Sequence, residues 1–236
     1  MIGRLILIIL GILGHVGFMR DLSQHRTPSS KVPITARLAG LVCALLLLSA
    51  TPQATLPVQV VDQAGMPLRD AVIEIRPPAG DTRRPSFGWR NAIAQKNLAF
   101  LPGTLIVPRG AVVAFPNLDS VRHSIYSFSK PGPFKIDLYG QDQTRTQQFK
   151  LTGTIALGCN IHDQMRGYIR VTDTPYAARS DLNGLANIEG LGRGSYDVVV
   201  WHPGIRAAGG EWRGKLVMEP GKRARIAVAV RPGAGK

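Results

Sequence analysis

Four residues of this chain stand at a spacing that can hold a metal. Cys159, His162 and Met165 form a Cys-x-x-His-x-x-Met cluster, and His123 lies upstream of it. One thiolate, two imidazoles and one thioether make a trigonal His₂Cys set with a weak axial Met, the donor set of a copper electron-transfer centre. Each donor has a reason to be there. The thiolate suits Cu(I), the imidazoles suit Cu(II), and a weakly held thioether stabilises the reduced state. The residues therefore imply one copper ion cycling between Cu(I) and Cu(II).

The cysteine and histidine counts sharpen that expectation. The chain has two cysteines, and Cys43 lies inside the apolar run Leu38–Ala50. Basic Lys31 and Arg37 precede this run and small residues 49–54 follow it, which is the layout of a secretory signal around 31–54. An exported chain would keep Cys159 as its one thiol, which in an oxidising compartment reads as metal-bound or reactive. A second apolar run, Leu5–Phe18, precedes the signal. Residues 1–30 then reflect either a start placed too far upstream or a membrane anchor. The expected location is the periplasm, with inner-membrane anchoring and membrane association if the N-terminal segment is retained.

The formal charge is +14, and residues 55–236 carry 24 basic against 14 acidic side chains, or +10. Such a balance favours acidic partners. No recognition helix or aromatic-rich binding strand accompanies it, so nucleic acid is not an expected partner. Arg122, Lys130, Lys135 and Arg166 stand near the ligand segments, either as a solvated rim or as a steering surface for an acidic redox protein. Oxidase and nitrite-reductase chemistry would need further histidines, and an exported chain that has lost residues 1–54 would keep only His202 beyond the candidate ligands; it is expected in a surface turn. Asp119, Asp137 and Glu189 form no acid–base pair by spacing, so the chain is not expected to be an enzyme.

The elements that must position these residues read as all-β. Eight short apolar runs between Leu98 and Val171, separated by Gly, Pro and polar turns, are the texture of an antiparallel sandwich. Before them, Val58–Asp62 and Ala71–Ile75 flank a Gly65-Met66-Pro67 turn and are expected to form a β-hairpin. Residues 77–90 read as a linker. After Pro175, runs at Leu185–Ile188, Tyr196–Trp201, Gly214–Met218 and Ala224–Val230 give further strands.

Residues 90–173 resemble the plastocyanin-like cupredoxin family, on Asn117, His123 and the stretch Gly158-Cys159-Asn160-Ile161-His162-Asp163-Gln164-Met165. The two-residue gap from His162 to Met165 is similar to that of amicyanin. The wider stretch Leu157–Ile169 is similar to cupredoxin-domain proteins called methylamine utilisation proteins. The resemblance implies a Greek-key sandwich, a blue (type 1) copper site at His123, Cys159, His162 and Met165, and an Asn117 amide bracing the Cys159 loop. The chain departs from the family at Gly158, where an aromatic is usual just before the Cys, and at Asn160-Ile161, where a Pro is usual. The flanks, 55–78 and 174–232, resemble a second, smaller sandwich, the carboxypeptidase regulatory-like (transthyretin-like) module, on Val60–Leu68, Asp70–Ile73, Ser180–Gly184 and Gly194–Val198. The copper region would then be inserted between that module's first hairpin and its remainder. The function implied is single-electron transfer between periplasmic partners. Copper storage, delivery or sensing, or a structural protein with a vestigial site, are the alternatives.

Overall fold

A computed structural model describes residues 55–219 and 221–233. The expectations for 1–54 lie outside these residues. The described chain is all-β: β1 (Thr55–Asp62), β2 (Val72–Ile75), β3 (Ala94–Lys96), β4 (Ala99–Leu101), β5 (Thr104–Pro108), β6 (Val112–Pro116), β7 (His123–Ser127) and β8 (Phe134–Tyr139) come first. They are followed by β9 (Thr144–Gln148), β10 (Gly153–Gly158), β11 (Arg166–Thr172), β12 (Ala177–Arg179), β13 (Leu185–Glu189), β14 (Gly194–Trp201), β15 (Glu211–Met218) and β16 (Ala224–Val228). Among the described residues no helix is long and apolar enough to cross a membrane.

Two cores organise these strands. One is built by the five-stranded sheet β5-β11-β10-β7-β8 with the ladders β6–β9 and β3–β4, around Phe100, Val113, Phe115, Ile125, Phe149, Ile155 and Ile169. Non-sequential neighbours in that sheet mean long crossovers, the device by which a sandwich brings distant segments to one end. The other core lies between the sheets β13-β1-β16 and β12-β2-β14-β15, around Val58, Val60, Ile73, Ile75, Val198, Val200 and Ile226. Strands from both ends of the described chain thus share the second core, and 94–172 is interposed between β2 and β12.

The expected hairpin at 58–75 is not formed. The chain does turn where the Gly-Met-Pro signal lies, with Asp62 N–H on the Met66 carbonyl (2.8 Å) and Leu68 N–H on the Val60 carbonyl (3.0 Å). Asp70, at φ 59°, then redirects it. The reason is burial: all four residues of β2 are buried, so it takes partners on both edges, β12 and β14, in the sheet opposite β1. Residues 144–148 form β9, a polar strand that the apolar runs do not mark, five residues with no buried side chain that pair with β6 at an edge. Residues 77–90 have no regular structure but are strapped down. Phe87 stacks on Trp89 at 4.8 Å, and Trp89 Nε1 donates to the Ile106 carbonyl at 2.8 Å.

Arg170 of β11 ties the two cores together. Its Nε donates to Glu74 of β2 at 2.9 Å and its Nη1 to Glu211 of β15 at 2.7 Å. Nearby, Tyr168 meets the edge of Trp201 at 5.1 Å beside Val72, Ile106 and Ala177.

Candidate metal centre

His123 opens β7, Cys159 follows the last residue of β10, and the seven-residue connection to β11 carries His162 and Met165. Strands β7 and β10 are sheet neighbours, paired at Gly158 and Tyr126, which brings a histidine and a cysteine far apart in sequence to the same end of one sheet. A tight turn, Met165 N–H on the His162 carbonyl at 2.9 Å, folds the loop so that His162 turns back toward Cys159. The result is three donors within 4.8 Å of one another: His123, Cys159 and His162.

Cys159 Sγ lies 3.7 Å from His123 Nδ1 and 3.8 Å from His162 Nδ1. Bonds of about 2.3 Å to a thiolate and about 2.05 Å to an imidazole put S and N about 3.8 Å apart around a trigonal ion and about 3.6 Å apart around a tetrahedral one. The observed spacing is one that a single ion could bridge, and the donor set is the one that suits copper. His123 (0 % exposed), Cys159 (2 %) and Met165 (1 %) are shut away from water, and Met165 packs in the same apolar cluster as Cys159. His162 is only half-buried, beside the exposed Ile161. Of the four candidate ligands, His162 alone is not fully buried.

The surrounding polar groups are not all where the sequence placed them. Asn117 is fully buried, but its amide does not reach the Cys159 loop. Its Nδ2 donates to the carbonyls of Val121 (2.9 Å) and Tyr139 (3.1 Å), and its Oδ1 accepts from Asp119 N–H (2.9 Å). Asn117 shapes the turn that delivers His123. The Cys159 loop is held by Ser124 instead, whose Oγ accepts from Asn160 N–H at 3.2 Å and lies 4.0 Å from Sγ. A serine directly after the first histidine was the available signal.

Asp119 is the other residue the spacing missed. Its Oδ2 meets His123 Nε2 at 2.8 Å. Burial pushes the carboxyl up, but hydrogen bonds from His123 and from the Leu98 and Asn97 amides outweigh that and hold it below the usual carboxylate range. Burial likewise pushes Tyr139, cross-strand from His123, up to about 12, partly offset by its Gln95 hydrogen bond.

The departure at Gly158 has a packing reason. A Cβ there would lie 2.6 Å from Cζ of Tyr126, whose ring covers the Gly158 backbone. The aromatic beside the thiolate strand comes from the neighbouring strand instead of the preceding residue.

His202, expected in a surface turn, is 6 % exposed. Its Nδ1 accepts from Gly204 N–H at 3.0 Å, and burial lowers it to about 4 against a small opposing pull from Asp70. It does not join the metal cluster. Arg122, Lys130, Lys135 and Arg166 are exposed; Lys135 pairs with Asp137 at 2.9 Å and Arg122 donates to the Leu138 carbonyl at 3.0 Å. Cys159 is a free cysteine.

No protein-family model and no curated protein matches this chain. Among solved structures it is similar to a purple cupredoxin from Nitrosopumilus maritimus, at 22 % identity and TM-score 0.32 over 34 % of this chain and 98 % of that one. It is similar to a reduced amicyanin variant at 17 % identity and TM-score 0.34, over 42 % and 98 %. The copper-containing nitrite reductase from Thermus scotoductus SA-01 aligns at 24 % identity and TM-score 0.35 over 39 % of this chain, which spans only 26 % of the reductase chain.

Proposed function

We propose that this chain is an exported, mononuclear type 1 copper protein that carries single electrons between redox partners in the periplasm. The observation that carries the reading is the Cys159 thiol facing two imidazole Nδ1 atoms at 3.7 and 3.8 Å in a buried pocket. Copper bound there would supply a one-electron couple; the chain supplies geometry, a dry surrounding and a path. His123, Cys159 and His162 would hold the ion, and Met165 would sit as the weak axial donor.

The chain's own residues favour a carrier over a storage or delivery module. Metal handover needs a thiolate that a partner's ligand can reach, and Cys159 is buried. Electron passage needs only one donor at the surface, and His162 is that donor. Ser124 and Asn117 hold the two ligand segments still, which limits rearrangement between oxidation states. Arg122, Lys130 and Arg166 would steer an acidic partner toward the His162 edge.

Voltammetry of the purified, copper-loaded chain tests this. A reversible one-electron couple is expected, with fast exchange at an electrode bearing acidic groups. Copper that binds but shows no reversible couple would turn the reading to storage or sensing.

A further inference from the structure

Asp119 lies in the turn between β6 and β7, and its carboxylate is nearly buried. It is approached by two backbone N–H groups and one histidine ring nitrogen. Oδ1 accepts from the Asn97 amide at 2.6 Å, and Oδ2 accepts from the Leu98 amide at 3.1 Å while facing His123 Nε2 at 2.8 Å. Both amides come from the two-residue turn joining β3 and β4. There Asn97 and Leu98 adopt φ of 56° and 57°, the pair of left-handed conformations of a type I′ hairpin turn. Asn tolerates that region; Leu does not favour it, and the Leu98 side chain is half exposed, so no burial of its own rewards the conformation. What the turn gains is two amides aimed at one carboxylate.

That carboxylate has only acceptors to offer. The ring nitrogen facing it must therefore carry the proton, which leaves Nδ1 of a neutral His123 as a lone pair directed at Sγ, 3.7 Å away. A carboxylate partner also raises the basicity of a ligating imidazole, which favours the more highly charged metal ion. We propose that the β3–β4 turn, acting through Asp119, fixes His123 in the Nε2–H form with Nδ1 presented to the metal, and so biases the site toward Cu(II). Asp119 is a positioning residue, and its effect on the metal rests on the copper reading above. Its effect on the His123 tautomer does not.

Asparagine cannot substitute. With its oxygen at the Oδ1 position, its NH₂ would face the Leu98 and His123 N–H groups; reversed, it would face that of Asn97. Either way donor meets donor.

The test has two parts. Nitrogen-15 NMR of the metal-free wild-type chain should show His123 as the Nε2–H tautomer; an Nδ1–H ring would overturn the proposal without any variant. In the copper-loaded protein, Asp119→Asn should lower the preference for Cu(II) over Cu(I) about tenfold, raising the potential by about 59 mV. Asp137→Asn, which removes the same charge from an exposed Lys135 pair, should move it far less. Equal potentials for wild type and Asp119→Asn would overturn the proposal. If the wild type takes up no copper, the copper reading fails, and the tautomer measurement still decides the role of Asp119. It also decides the matter if Asp119→Asn does not fold.

Discussion

Buried polar side chains serve opposite ends in the two cores. In the core that joins both ends of the described chain, Ser180 and Thr174 bond to backbone. Ser180 Oγ donates to the Leu68 carbonyl at 2.7 Å and accepts from Ala71 N–H at 2.9 Å; Thr174 Oγ1 donates to the Ile75 carbonyl at 2.6 Å. Each closes a local account of donors and acceptors and leaves nothing pointing at an empty position. At the end of the other core, buried polar side chains point at one another. His123 and His162 aim their Nδ1 atoms at Cys159, and Asp119 and Ser124 hold them from behind. Convergence of side chains on a common point, with Asp119 and Ser124 tying that cluster to backbone amides, distinguishes a site from a scaffold.

Arg170 joins these regions and offers the strongest way to sharpen the contrast. Arg170→Met would leave Glu74 buried without its partner, a loss of about 3–5 kcal/mol. Chemical denaturation should show that loss, while the copper spectrum of the folded fraction stays unchanged. A changed spectrum would mean that the scaffold and the site are not separable in this sense.

His202 comes next. Its ring is held neutral by burial, with a folded value of about 4 against an ordinary 6.5. Below pH 6.5 the unfolded chain binds a proton that the folded chain refuses. Its contribution is therefore present above pH 6.5 and lost as pH falls toward 4, up to about 3 kcal/mol. In His202→Gln, thermal melts should lose less stability across that window than wild type does. Parallel curves would remove His202 from the account.

The smallest effect concerns the surface. Arg166→Glu should slow reduction by an acidic redox protein roughly tenfold at low ionic strength, and the difference should shrink toward physiological salt. An unchanged rate would reduce Arg122, Lys130 and Arg166 to a solvated rim.

The candidate ligands were legible because chemistry dictates their types and a short loop dictates their spacing. Cys159, His162 and Met165 sit within seven residues, and a tight turn at His162 brings them together. Strand texture was legible where burial alternates, as in β1 and β14, and invisible in β9, whose stability comes from pairing with β6 and not from apolar side chains. The hairpin at 58–75 misled because its turn signal is local, whereas the partners of β2 lie a hundred residues away. Asn117 was read onto the wrong loop, and Asp119 was missed. An Asp or Asn in a turn has many possible partners, and only the packing of the β3–β4 turn against Asp119 selects among them.

The central claim is that Cys159 is a copper ligand in a trigonal site. It is tested most directly by the visible spectrum of the purified chain with one equivalent of Cu(II), beside that of Cys159→Ser. An intense thiolate-to-copper band that bleaches on reduction, returns on oxidation and is missing from Cys159→Ser is the predicted result. A colourless wild type, or a Cys159→Ser variant that binds copper with the same spectrum, would contradict it.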